Sequence, residues 1–129
     1  TCALPIFFQN DLSGVIARYD IIRTARMYHN DIAVAAVDHT VGRVTAAQAA
    51  DELLNISGID ASFVLFPDAD GERVVISARS MGDTNVQVVL EKLGGGGNAA
   101  TAGAQVPSGS VEEVLQRLLR AIDQYFEED

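Results

Sequence analysis

The sequence is poor in the residues from which many active sites are assembled. It holds one cysteine, two histidines and no tryptophan in 129 residues. Cys2 alone cannot build a disulfide framework, and a zinc site of the Cys/His kind lacks ligands. Basic residues are scarce too: nine Lys and Arg stand against eighteen Asp and Glu, a formal charge of -9. Such a surface repels a nucleic-acid backbone or an anionic membrane, so no polynucleotide groove is expected and any phosphate recognition has to be local. Long apolar runs are missing. The longest, Ile32 to Val37, has the length of a buried strand and falls far short of the roughly 20 residues that span a bilayer. The opening segment has no basic region before Phe7 and Phe8 and does not read as a signal peptide. What the chain does have is apolar residue, 48% of it, enough for the core of one domain without cross-links.

Helical and extended periods alternate along it. Leu12, Val15, Ile16, Tyr19, Ile22 and Met27 predict a helix over 11–28, ending near His29 and Asn30. Ile32 to Val37 follows as a strand. Thr45-Ala46-Ala47-Gln48 reads as a capping box opening a helix that stops at Ser57-Gly58. Ala61 to Phe66 and Glu72 to Arg79 read as two strands of a hairpin joined by Asp68-Ala69-Asp70-Gly71. A second box, Thr84-Asn85-Val86-Gln87, starts a helix that ends at Gly94 to Gly97. A short helix is expected from Asn98 to Ala102, and a short strand from Ala104 to Val106. Ser110-Val111-Glu112-Glu113 opens a long amphipathic helix with Val111, Val114, Leu115, Leu118, Ile122, Tyr125 and Phe126 on one stripe. Residues 107–129 hold six acids and two arginines, a net of -4 that suits a solvated outer helix. The expected class is α/β (α+β), with a central mixed sheet of about four or five strands and helices packed on it.

Most candidate chemistry dissolves on inspection. Asp38 and His39 are adjacent on a strand end and point to opposite faces. His29 reads as a helix-end residue near the last carbonyls. Cys2 has no partner base to activate it. Asp68, Asp70 and Gly71 lack the later ligands of a calcium loop and read as turn chemistry. The segment from Ile76 to Ala104 is different. Period two places Ser77 and Arg79 on one face of their strand, opposite Ile76 and Ala78, and so presents a hydroxyl beside a guanidinium suited to phosphate. Gly94 can cap the preceding helix in the left-handed region. Three more glycines remain, which fit either close approach of an anion or nucleotide to the backbone or a flexible joint.

These residues resemble the DHHA1 domain, the C-terminal half of DHH-family phosphoesterases. That family shows a Ser/Arg strand, a short helix and then GGGHxxAAG, which here reads Gly95-Gly96-Gly97-Asn98-Ala99-Ala100-Thr101-Ala102-Gly103. The stretches Ile76 to Ser80, Asn85 to Val88 and Glu91 to Gly97, with Ala46 to Asp51 and Ala61 to Val64, are similar to the bacterial membrane-anchored cyclic-di-AMP phosphodiesterases of the GdpP type. The resemblance implies a DHHA1 domain over 18–129 and a connector from upstream sequence over 1–17. It implies a division of labour, in which a separate DHH domain holds two manganese ions and activates water while the DHHA1 domain holds the nucleotide. Arg79 would contact phosphate or base with Ser77 or Ser80 beside it, and Gly94, Gly95, Gly96 and Gly97 would form the backbone cradle. Asn98 stands where the family has histidine; it can donate a hydrogen bond but cannot carry a positive charge.

Further implications concern partners and compartment. The ligand would be a cyclic or linear dinucleotide, and the intramolecular partner a DHH domain. A homodimer stays open, and the chain would be a cytoplasmic domain of a membrane-anchored bacterial protein. No cofactor or metal is expected in this chain, which has no Asp-His-His triplet and would be catalytically silent alone. The alternatives are a sibling phosphoesterase domain for short oligoribonucleotides, or a non-catalytic module for RNA contact or dimerisation like that of alanyl-tRNA synthetases.

Overall fold

The computed structural model describes residues 11–128; Cys2, Phe7 and Phe8 lie outside them. The elements run α1 (Leu12–Arg23), β1 (Arg26–Tyr28), β2 (Ile32–Ala36), α2 (Arg43–Leu53), β3 (Ala61–Pro67), β4 (Arg73–Ser80), α3 (Val86–Glu91), β5 (Gly96–Gly97), β6 (Thr101–Pro107) and α4 (Val111–Glu127). One six-stranded sheet has the order β1-β2-β3-β4-β6-β5. Only β2 and β3 are parallel, joined through α2; the other neighbours are antiparallel. The mixed α/β class is as expected. The strands beyond the expected count are the two short ones at the sheet edges.

Side-chain alternation sorts the core into two layers. Val34, Phe63, Leu65 and Ile76 face α3 and α4, where Val89, Leu90, Val114, Leu118 and Ile122 meet them. Ala33, Ala35, Val64, Phe66 and Val75 face α1 and α2. β3 is buried on both faces, which is why its sequence is apolar at nearly every position, Ser62 excepted. Burying Phe63 or Phe66 contributes about 1.5–3 kcal/mol each. α2 lies close to the sheet because the residues it turns inward are small: Ala46, Ala49 and Ala50 are fully buried. Beneath it, the buried Ser62 hydroxyl donates to the Ala50 carbonyl at 2.7 Å, so its burial leaves no unpaired polar group.

Helix starts test the capping readings one at a time. Ser110 caps α4 as expected, its Oγ accepting from the Glu113 N–H at 3.1 Å. Glu113 does not complete the reciprocal bond; its carboxylate takes the Ser108 hydroxyl at 2.7 Å. α3 begins one residue later than its box, with Asn85 as the cap accepting from the Val88 N–H at 3.2 Å. In α2 the box is displaced further. Gly42 is the cap, and its carbonyl already accepts from the Ala46 N–H at 2.9 Å, which places Thr45 inside the first turn.

Two expected helices are corrected. The one over 11–28 stops at Arg23, where Thr24 turns its hydroxyl back onto the Ile21 carbonyl at 2.7 Å. The chain then enters β1 and reverses into β2 through His29, which adopts a φ of 56°. His29 is therefore a turn residue, with Nε2 2.9 Å from Asp123 Oδ1 and its ring 4.8 Å from that of Phe126. α1 itself runs across residue 17, the expected end of the connector. Its Ile21 is buried in the core, whereas Leu12, Ile16 and Tyr19 of the apolar stripe are at least half exposed. The second correction lies at Asn98 to Ala102, where β5 and β6 form a hairpin, pairing Gly96 with Gly103 and Gly97 with Ala102. Asn98 holds its turn: the N–H donates to the Thr101 carbonyl at 2.7 Å, and Oδ1 accepts from the Ala100 and Thr101 N–H groups at 3.0 and 2.9 Å. Local Asn turn chemistry competes with helix initiation, and here it prevails.

Candidate functional site

α1 and α2 pack on β2, β3 and the near side of β4, and the sheet continues past them through β6 to β5. On this uncovered half, Ser77, Gly103 and Gly96 fall in one row across three strands. Two of the three have no side chain, so the backbone itself forms the surface. The result is a cleft of about 460 Å³, floored by Ser77, Gly96 and Gly103, lined also by Phe66, Gly94 and Gly95, with Arg43 and Gln105 at the rim. That volume lies within the range of about 300–1,000 Å³ usual for small-molecule sites.

The four glycines have separate causes. Gly94 takes a φ of 83° and ends α3 in a Schellman turn: its N–H bonds the Glu91 carbonyl at 3.2 Å, and the Gly95 N–H bonds the Leu90 carbonyl at 2.8 Å. A Cβ on Gly95 would run into the Gly103 carbonyl and come within 2.7 Å of the Ala104 Cβ. Gly97 has a φ of 143°, and a Cβ there would strike the Thr101 carbonyl and lie 2.6 Å from the Ala102 Cα. Gly96 alone is under no such demand. Its Cβ would meet nothing within 4 Å, and strand alternation turns it away from the side of Ala102 and Ala104, towards the cleft.

Ser77 and Arg79 share a face and touch, as their spacing implied. Arg79 Nη1 lies 3.4 Å from Ser77 Oγ and donates to the Ala78 carbonyl at 2.9 Å, and Nε is 3.1 Å from Asp51 Oδ1 on α2. The guanidinium thus stands beside the cleft, one row from its floor. Ser80 is not part of this group. It is buried on the opposite face, with its hydroxyl accepting from the Gly82 N–H at 3.0 Å. Gly97 and Asn98 belong to the β5–β6 turn, and no helix begins at Asn98 to present free N–H groups to an anion.

Sequence reasoning missed three contributors. Gly103 and Gln105 lie on β6, whose strict alternation of exposed and buried residues was there to be read in Ala102, Ala104 and Val106. Arg43 belongs to no motif; it reaches the cleft because α2 starts there. Its Nη2 is 3.4 Å from Asp68 Oδ2, which Arg73 also holds at 3.1 Å. Arg73 further donates to Gln105 Oε1 at 2.9 Å, leaving the Gln105 amide N–H donors free. The cleft therefore offers the Arg43 guanidinium and the Gln105 amide at its rim and the Ser77 hydroxyl on its floor, all able to donate to phosphate oxygens. Among the described residues, no three His, Cys, Asp or Glu side chains come together to hold an ion. Asp38 and His39 make only an exposed contact of 3.1 Å with each other. Among the described residues, no helix is long and apolar enough to cross a membrane.

Fold and cleft define a class first: a mixed-sheet α/β domain that offers a ligand a backbone floor with donors at its rim. Residues 29–128 match the DHHA1 domain family, and the chain belongs to that family. It is 39% identical over 128 residues to the cyclic-di-AMP phosphodiesterase PdeA of Listeria monocytogenes, covering 98% of this chain and 19% of that protein. It is 43% identical over 129 residues to the cyclic-di-AMP phosphodiesterase GdpP of Geobacillus thermodenitrificans, covering 98% and 20%. The chain thus spans about a fifth of the length of these curated relatives. Among solved structures, an exopolyphosphatase-related protein from Bacteroides fragilis shares the fold with a TM-score of 0.80 at 18% identity, over 93% of this chain and 37% of that one.

Proposed function

We propose that this chain is the substrate-holding domain of a cyclic-dinucleotide phosphodiesterase, and that it binds cyclic di-AMP or its linear product in the cleft. The observation that carries the reading is the row Ser77, Gly103 and Gly96, a floor on which a phosphate or a base can lie against backbone. The names of the two relatives, similar over almost the whole chain, supply the substrate class. Arg79 is the phosphate contact. Its present partner Asp51 is largely exposed, and such a surface pair is worth only about 0–1 kcal/mol, so a phosphate competes for the guanidinium at little cost. Arg43 approaches from the other wall. Hydrolysis belongs, on this reading, to a separate manganese-holding domain of a longer, membrane-anchored protein, and the chain alone turns over no cyclic di-AMP.

Calorimetric titration of cyclic di-AMP into the chain and into Gly96→Val tests this. Wild type should bind, and the variant should lose binding with a nearly unchanged unfolding midpoint, because the side chain starts from a Cβ that points over the floor and meets no protein atom within 4 Å. Equal affinity of the two proteins, or no binding by wild type, rejects the cleft as the site.

A further inference from the structure

The chain's nine Lys and Arg residues are almost all engaged. Arg18 holds Glu52, Arg23 holds Asp20, Arg43 and Arg73 share Asp68, Arg79 holds Asp51 and Lys92 holds Glu128. Arg26 donates to the carbonyls of Thr24 and Ala25. Arg117 and Arg120 are the exceptions, with no hydrogen bond or ion pair to any other described residue. They lie on the most acidic helix among the described residues, yet three of its four carboxylates are engaged elsewhere. Glu112 accepts from Gln116, Glu113 from Ser108 and Asp123 from Tyr28.

Arg117, Arg120 and Gln124 recur at helical spacing and share one face of α4. Opposite them is the end of α3, and between the two helices is a pocket of about 150 Å³ lined by Lys92, Leu93, Arg117, Arg120, Ala121 and Gln124. The end of a helix ordinarily presents bare carbonyls that repel an anion. Here those of Leu90 and Glu91 are already taken by the N–H groups of Gly95 and Gly94. Three cations less the one carboxylate of Glu128 leave a formal charge of +2 around the pocket, the complement of a phosphate dianion rather than of a single carboxylate. The volume lies well below the about 300–1,000 Å³ usual for small-molecule sites, which suits one small oxyanion.

We propose that Arg117, Arg120, Lys92 and Gln124 form a second anion site, for a single dianionic phosphoryl group. It lies on the α3–α4 face, across the sheet from the cleft. Leu93 lines this pocket and Gly94 lines the cleft, so the two sites are separated by one peptide bond along the chain. The inference does not depend on what the cleft binds.

The test is an NMR titration of the chain with inorganic phosphate, with sodium chloride adjusted to constant ionic strength. Saturable shifts are expected at the amides of Lys92, Leu93 and Gln124 and at the Nε–H groups of Arg117 and Arg120. The double variant Arg117→Gln/Arg120→Gln should bind about tenfold more weakly or worse, since it removes two charge-assisted contacts. The single variant Arg120→Gln, at an exposed position, provides the same comparison with less disturbance to packing. A second arm uses adenosine 5′-monophosphate. If it moves the same resonances, the site takes a phosphate carried on a nucleotide; if only inorganic phosphate does, the site takes the free ion. Linear, non-saturating shifts, shifts unchanged in the variants, or shifts confined to Ser77, Gly96 and Gly103 would overturn the proposal.

Discussion

Replacing the cradle glycines by alanine, one at a time, separates what the fold requires from what a ligand requires. At Gly97 the new methyl meets backbone, the Thr101 carbonyl and the Ala102 Cα at 2.6 Å, and no rotamer change can relieve that. Its φ of 143° adds a backbone cost of about 1–2 kcal/mol for a residue with a Cβ. With about 1–3 kcal/mol for forced packing, Gly97→Ala should lose about 2–5 kcal/mol. Gly95→Ala has the packing cost alone, about 1–3 kcal/mol. Gly96→Ala meets nothing within 4 Å and needs no left-handed backbone, so its stability should stay within about 0.5 kcal/mol or rise slightly through a stiffer unfolded chain. Urea unfolding midpoints, with the slope checked for constancy, read these differences directly. The order Gly97, then Gly95, then Gly96 is the prediction. A loss at Gly96 as large as at Gly97 would refute the claim that this glycine is free of structural duty, and with it the argument that its bareness serves a ligand.

Other expectations follow from single contacts. Arg79→Ala should weaken dinucleotide binding by about 1.5–3 kcal/mol, the worth of a charge-assisted hydrogen bond, and unchanged calorimetric affinity would remove Arg79 from the site. Asp123 is held below its ordinary value of 3.8, first by the Tyr28 hydroxyl and then by His29. Because the folded value is the depressed one, the stability Asp123 contributes is fully present above about pH 3.8 and disappears as pH falls through the folded value. Tyr28→Phe removes the leading cause, so the carboxyl titration followed by carbon-detected NMR should move up towards 3.8; no movement would contradict the assignment. Ser110→Ala should lose about 1 kcal/mol by removing the α4 cap, measurable as an earlier urea midpoint, and an unchanged midpoint would show that Ser108 and Glu113 hold the helix start without it.

Elements with both a period and a stop were legible in the sequence. The β3–β4 hairpin has two apolar runs around Asp68 to Gly71, and Gly71 takes the positive φ, 71°, that such a turn needs. α4 has a cap, a stripe and enough length for both to agree. β1 was missed because Met27 continues the helical spacing of α1 by coincidence, and nothing in Arg26 to Tyr28 shows that β2 offers an unpaired edge. The site was half legible. The shared face of Ser77 and Arg79 follows from strand period alone, and the glycine run announces itself. Asn98 on its own suits both a turn and a helix start, and the pairing of Gly103 and Ala102 back onto Gly96 and Gly97 selects the turn. Arg43 reaches the rim through the crossover from β2 to β3, which is invisible to any motif.

The short strands at the two sheet borders bear on how this domain can associate. One border is β1, three residues long, and the other is β5, two residues long. A foreign strand laid against either would find only two or three peptide units to hydrogen-bond, too few to hold it in register. Self-association by extending the sheet is therefore disfavoured at both ends, and fibril-like stacking with it. Crosslinking or mutagenesis at the exposed apolar residues of α1, Leu12, Ile16 and Tyr19, tests association through a helix surface instead.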